Sequence, residues 1–119
     1  MTGGFSVEVE QMTDDIHAVN VQGELDQATA EQLRRPLGES IEAGIRGLMI
    51  DLSDCEFIDS TGLALLVDAR QRMTGQDADG AFSLCCPNSQ VRRLLEITAL
   101  DQAMGLYDSR DEALAALRR

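Results

Sequence analysis

The sequence has no lysine and no tryptophan, a single histidine, two prolines and only 3% aromatic residues. Without lysine there can be no Walker-type phosphate loop, no Schiff base and no lysine general base. All ten cationic side chains are arginines; set against 21 acids they leave a net charge of −11. Such a surface repels phosphate backbones and anionic lipid, so no nucleic-acid partner is expected. No apolar run approaches the roughly 20 residues of a membrane helix. The start, MTGGFSVEVEQ, also lacks the basic segment and apolar centre of a signal peptide. The expectation is a cytoplasmic chain with no direct membrane insertion. Cys55, Cys85 and Cys86 are too few for a disulfide framework, and no histidine or CxxC spacing accompanies them. They read as buried free thiols, and neither a metal site nor a cofactor is expected.

What is present suits one globular domain over residues 1–119, with 44% apolar and 26% charged residues and a core of Leu, Ile, Val, Ala and Met. FSVEVE (5–10) alternates with period two, and DDIHAVNVQ (14–22) follows a short polar turn, so the two predict a hairpin. GELDQATA (23–30) leads into a helix with Asp26 as candidate N-cap. Ala30, Leu33, Leu37, Ile41 and Ile45 share its inner face, and Pro36 should kink or interrupt it. GLMIDL (47–52) and AFSLCC (81–86) are continuously apolar, as strands covered on both faces are. Residues 57–73 carry the chain into a second helix, 74–80 predict a turn, Pro87-Asn88-Ser89 the start of a third helix, and 104–108 a short strand. SRDEALAALRR closes the chain as a helix capped by Ser109, with acids in its first turn and arginines in its last. The order β-β-α-β-α-β-α-β-α predicts an α/β fold. It would be a mixed, mostly parallel sheet with an N-terminal hairpin and about four α-helices.

The stretch FIDSTGLALL (57–66) holds the candidate site. Asp59 or Ser60 can cap the helix that follows, with Gly62 easing the turn. Ser60 can equally stand exposed at the helix N-terminus, where free N–H groups and the dipole would favour an added phosphate. A nucleophilic role is disfavoured, because the only histidine, His17, lies in a hairpin strand and no GxSxG surrounds Ser60. No catalytic residue is therefore assigned, and the chain is not expected to be an enzyme. Gly62, Leu65, Leu66, Ala69 and Met73 fall on the packing face of this helix. Ala64 and Val67 lie on the outer face beside Ser60 and suggest a small docking strip. Asp51, Asp54 and Asp59 raise a phosphoacceptor receiver reading, which the missing lysine and the opening hairpin exclude. The arginine pairs 34–35, 92–93 and 118–119 are scattered and read as solvated faces.

GELD at 23–26, LMIDLSDCEFIDSTGLALL at 48–66 and LLEITALDQAMGLYDSRDEALAAL at 94–117 resemble a STAS domain, and more narrowly the anti-sigma factor antagonists. The resemblance spans nearly the whole chain. Ala99 stands where the family often has glycine, a departure expected to be tolerated. The resemblance implies a partner that is both an anti-sigma factor and a serine kinase, with ATP and magnesium bound by the partner. That kinase would phosphorylate Ser60, weakening the complex, and a PP2C-type phosphatase would reset it. It further implies a partner surface of Asp26, Asp59, Ser60, Thr61 and Gly62, to which the outer face of the helix adds Ala64 and Val67 as expected partner-binding residues. The alternative it leaves open is a cytoplasmic STAS subunit of a membrane transport complex for lipid or anions.

Overall fold

The structure is a computed structural model describing residues 4–75 and 78–118. The chain opens with β1 (Ser6–Thr13) and β2 (Ile16–Leu25), then α1 (Ala30–Glu42), β3 (Gly47–Ile58) and α2 (Ser60–Thr74). It continues through β4 (Ala81–Cys85), α3 (Ser89–Ile97), α4 (Leu100–Met104), β5 (Leu106–Tyr107) and α5 (Arg110–Leu117). The strands lie side by side in the order β1-β2-β3-β4-β5. The β1-β2 hairpin is antiparallel; β2-β3, β3-β4 and β4-β5 are parallel. The predicted α/β architecture is the one observed, with five helices among the described residues.

Helices cover the two faces of the sheet unequally. Val19, Val21, Leu48, Ile50, Leu52 and Leu84 point into one core with residues of α1, α2, α3 and α4. Ile16, Ala18, Met49 and Cys85 point the other way, against Ala113 and Leu117 of α5. This burial of both faces is why residues 47–52 of β3 and the β4 segment read as continuous apolar runs. Each fully buried Leu or Ile removed from water contributes about 1.5–3 kcal/mol before entropy is counted.

Several expectations need correction. Asp26 does not cap α1; Thr29 occupies the N-cap position, and α1 begins at Ala30. Asp26 instead closes the preceding turn, its Oδ1 accepting from the N–H groups of Ala28 (2.9 Å) and Thr29 (3.1 Å). Pro36 does not interrupt α1. Buried Leu33 and Leu37 flank it, so packing outweighs the backbone bond a proline forfeits. Helix α1 ends before Ile45, which is buried beyond Gly44, a residue at φ +81° where a β-carbon is disfavoured. Strand β3 runs six residues past the predicted apolar segment, to Ile58, pairing with β2 through two register shifts. Its outer half departs from strict alternation, with Cys55 and Ile58 buried but both Glu56 and Phe57 exposed between them. Helix α4 was not foreseen. Residues 76 and 77 of the predicted 74–80 turn lie outside the described residues. Ser109 does cap α5, accepting from Glu112 N at 3.1 Å. Arg118 is that helix's C-cap rather than part of its last turn, and Arg119 lies outside the described residues.

Candidate functional site

The C-terminal ends of β2 and β3 meet where Leu25 pairs with Ile58. Asp59 N–H then donates to Leu25 O at 3.1 Å, so the backbone stays tied to β2 for one more residue. Asp59 is extended (φ −101°, ψ −174°) and caps α2: its Oδ1 accepts from Gly62 N at 3.0 Å. Its Oδ2 accepts from Gln27 N at 3.1 Å, joining the β3–α2 turn to the Asp26 turn. The structure thus brings the GELD and DSTG segments together, through one carboxylate that serves both.

Because Asp59 takes the capping role, Ser60 is left free of it. Ser60 is the exposed first residue of α2, and its hydroxyl makes no hydrogen bond among the described residues. At this helix start the leading backbone N–H groups have no intrahelical acceptor, which favours negative charge there. Thr61 is half-buried, while Ala64 and Val67 are exposed on the outer face. The predicted inner face of α2 is observed: Gly62, Leu65, Leu66, Ala69 and Met73 are all buried. Gly62 has no positive φ, so it does not ease a turn. A β-carbon there would lie 2.7 Å from Leu25 Cγ and 2.9 Å from Ile58 Cγ2. The glycine lets the helix start approach the strand ends closely.

Sequence reasoning missed the apolar groove beside this turn. A recess of about 520 Å³ runs between the end of β3 and α3, lined by Phe57, Ile58, Asp59, Arg93, Leu94 and Ile97. Phe57 is 48% exposed and Ile97 70%, unusual for such large apolar side chains. Strand phase gave no signal for it: Phe57 shares the phase of buried Cys55, and it is exposed because the pairing with β2 shifts register between the two.

The remaining titratable groups lie in other settings. His17 Nδ1 is 3.0 Å from Ser40 Oγ, a contact between β2 and α1, so it serves the fold. Asp51 is 5% exposed, and its Oδ2 accepts from Arg110 Nη1 at 2.6 Å. The same guanidinium reaches Glu10 at 2.9 Å and Asn20 at 3.2 Å, fastening α5 to the hairpin. Hydrogen bonds from Asn20 and Arg110, with the Arg110 charge, hold the Glu10 carboxyl below its usual range. Burial pushes the Cys55 thiol up to about 11, and Cys85 in the same direction. Cys86 is only half-buried, contrary to expectation, because the chain leaves β4 before reaching it. Arg92 pairs with Asp108, and Arg34 with Glu31 at 3.1 Å, both at exposed positions. No described helix is long and apolar enough to cross a membrane.

The family model for the STAS domain matches residues 7–113, and the chain belongs to the STAS domain family. The anti-sigma F factor antagonist of Paenibacillus polymyxa is 31% identical over 100 residues, covering 83% of this chain and 84% of that protein. The crystal structure of an anti-sigma factor antagonist from Mycobacterium paratuberculosis superimposes with a TM-score of 0.88. It is 31% identical, covering 98% of this chain and 96% of that one. A sulfate transporter family protein from Wolinella succinogenes shares the fold, at a TM-score of 0.73 and 18% identity over 92% of this chain and 89% of that one.

Proposed function

We propose that this protein is an anti-sigma factor antagonist. It would bind an anti-sigma factor that is also a serine kinase and so release a sigma factor for transcription. The observation that carries this reading is the exposed, unengaged hydroxyl of Ser60 at the α2 N-terminus, left free because Asp59 caps the helix. Asp26, Asp59, Ser60, Thr61, Ala64 and Val67 would form the contact surface. Gly62, being buried, would act by setting the height of the turn. Phosphorylation of Ser60 would add about −1.5 to −2 charges beside the Asp59 carboxylate. Burying that dianion in the same contact costs desolvation, and a loss of roughly 3 kcal/mol weakens binding about a hundredfold. A PP2C-type phosphatase would remove the charge. Catalysis belongs to the partners, with ATP and magnesium held by the kinase, and the exchange takes place in the cytoplasm.

The test is incubation with the cognate anti-sigma kinase and MgATP, followed by site mapping by mass spectrometry. One phosphate on Ser60 is expected, together with loss of the complex in a pull-down. Phosphate that persists in Ser60→Ala, on Thr61 or elsewhere, overturns the site. Capture of a membrane-transport ATPase in place of the kinase overturns the function.

A further inference from the structure

Neighbouring residues of a strand send their side chains to opposite faces, so adjacent cysteines normally hold their thiols apart. Cys85 and Cys86, at the end of β4, do not. Cys86 has φ +63°, a left-handed conformation that residues with a β-carbon seldom adopt. It does so directly before Pro87, where extended backbone is the norm. The bend turns both sulfurs to one side of the strand end. Both sulfurs and an oxygen of Asp51 lie within 4.8 Å of one another. Backbone bonding holds the strained residue in place, Cys86 N–H donating to Tyr107 O at 3.0 Å.

A metal ion is a poor fit for this cluster. Asp51 Oδ1 already accepts from Ser53 N at 2.9 Å, and Oδ2 is taken by Arg110, whose positive charge opposes an incoming cation. What remains available is the dithiol. Cys55 cannot compete for it, since its side chain packs in the core on the opposite face of the sheet.

We propose that Cys85 and Cys86 form a reversible redox pair, oxidised by hydroperoxides to a vicinal disulfide. Half-buried Cys86 meets the oxidant first. Its thiol loses a proton, and the sulfur attacks a peroxide oxygen. The O–O bond breaks, leaving a sulfenic acid and water, or an alcohol from an organic peroxide. The Cys85 sulfur then attacks the Cys86 sulfur, the S–O bond breaks, and water leaves with the Cys85 proton. Two thiols give up two electrons and two protons, and the peroxide accepts both. Adjacent Cα atoms are about 3.8 Å apart, below the span of about 4.4–6.8 Å in ordinary disulfides. The ring is therefore strained, and thiol reductants reopen it readily.

The oxidation would also be felt across the sheet. Asn88, two residues on, caps α3 through Val91 N at 2.8 Å and donates to Cys55 O at 3.1 Å. Closing the ring changes the backbone at Cys86 and shifts this anchor, and with it the α3 wall of the Phe57–Ile97 groove.

The experiment is a thiol titration of the whole protein in denaturant after brief hydrogen peroxide treatment and quenching. The reduced chain holds three free thiols, Cys55, Cys85 and Cys86. The oxidised monomer should show one, with a mass lower by two hydrogen atoms localised to the peptide carrying Cys85 and Cys86. Dithiothreitol should restore all three, and Cys86→Ser should keep both of its remaining thiols under the same treatment. Hydrogen exchange at the Val91 amide should accelerate in the oxidised form. Persistence of three thiols, a disulfide-linked dimer, or oxygen added to Cys86 while Cys85 stays free would each overturn the proposal. The wild-type measurement decides the matter even if the serine variant folds poorly.

Discussion

Gly62→Ala tests how the candidate site is held in place. The added methyl would sit 2.7 Å from Leu25 Cγ, 2.9 Å from Ile58 Cγ2 and 3.0 Å from Leu25 Cδ2. Relaxed carbon–carbon contacts lie at about 3.5–4.0 Å, so the helix start must back away by roughly 1 Å. Neither neighbour yields easily, since Leu25 is 0% and Ile58 2% exposed and the two are paired strand residues. Overpacking of this kind costs about 1–3 kcal/mol. Alanine's better helix propensity returns less than about 1 kcal/mol, because residue 62 lies in the first turn. The expected net loss is about 1–2 kcal/mol. With a urea slope of about 1–3 kcal/mol/M, the midpoint should fall by about 1 M. In a Leu25→Ala background the vacated space should remove most of this penalty, giving a favourable coupling in a double-mutant cycle. An unchanged midpoint for Gly62→Ala, or no coupling with Leu25, would refute the close-approach argument.

Three other outcomes follow from particular residues. Ala99 sits at φ +60°, where the missing glycine would be unstrained, so Ala99→Gly should stabilise by about 0.5–1 kcal/mol despite glycine's freer unfolded chain. The assay is the melting temperature, which should rise. Arg110→Met leaves Asp51 buried without its ion pair. Breaking a buried pair costs about 3–5 kcal/mol, reduced here to about 2–3 because the Arg110 side chain is 34% exposed. Chemical denaturation should show that loss, and adding Asp51→Asn should recover part of it. The third concerns pH. The Cys55 thiol is raised to about 11 in the fold against an ordinary value of 9.0, so its contribution is complete below pH 9 and lost as pH climbs towards 11. Glu10 works in the opposite direction: its lowered pKa contributes above the ordinary carboxylate range and is lost as pH falls through its folded value. Denaturation midpoints should therefore decline at both extremes, with the alkaline decline reduced in Cys55→Ala relative to its own neutral value.

Much of this protein was legible in its sequence. Period-two alternation, apolar runs and capping residues are local signals, and they revealed the hairpin, the parallel strands and the inner face of α2. The Asp-Ser-Thr-Gly turn was legible for the same reason, since a helix start needs a side-chain acceptor within three residues. What the sequence left open was which of Asp59 and Ser60 caps α2. That depends on Gln27, which is remote in sequence and reaches Asp59 only when β2 and β3 pair in register. Register likewise exposes Phe57 beside α3 and sets Gly62 against Leu25. It also places Arg110 on Asp51, 59 residues earlier in the chain. The left-handed bend at Cys86 belongs to the same class, because its backbone bond to Tyr107 comes from β5. Local pattern chose the elements, and the long-range pairing of strands decided which side chains stand free at their ends.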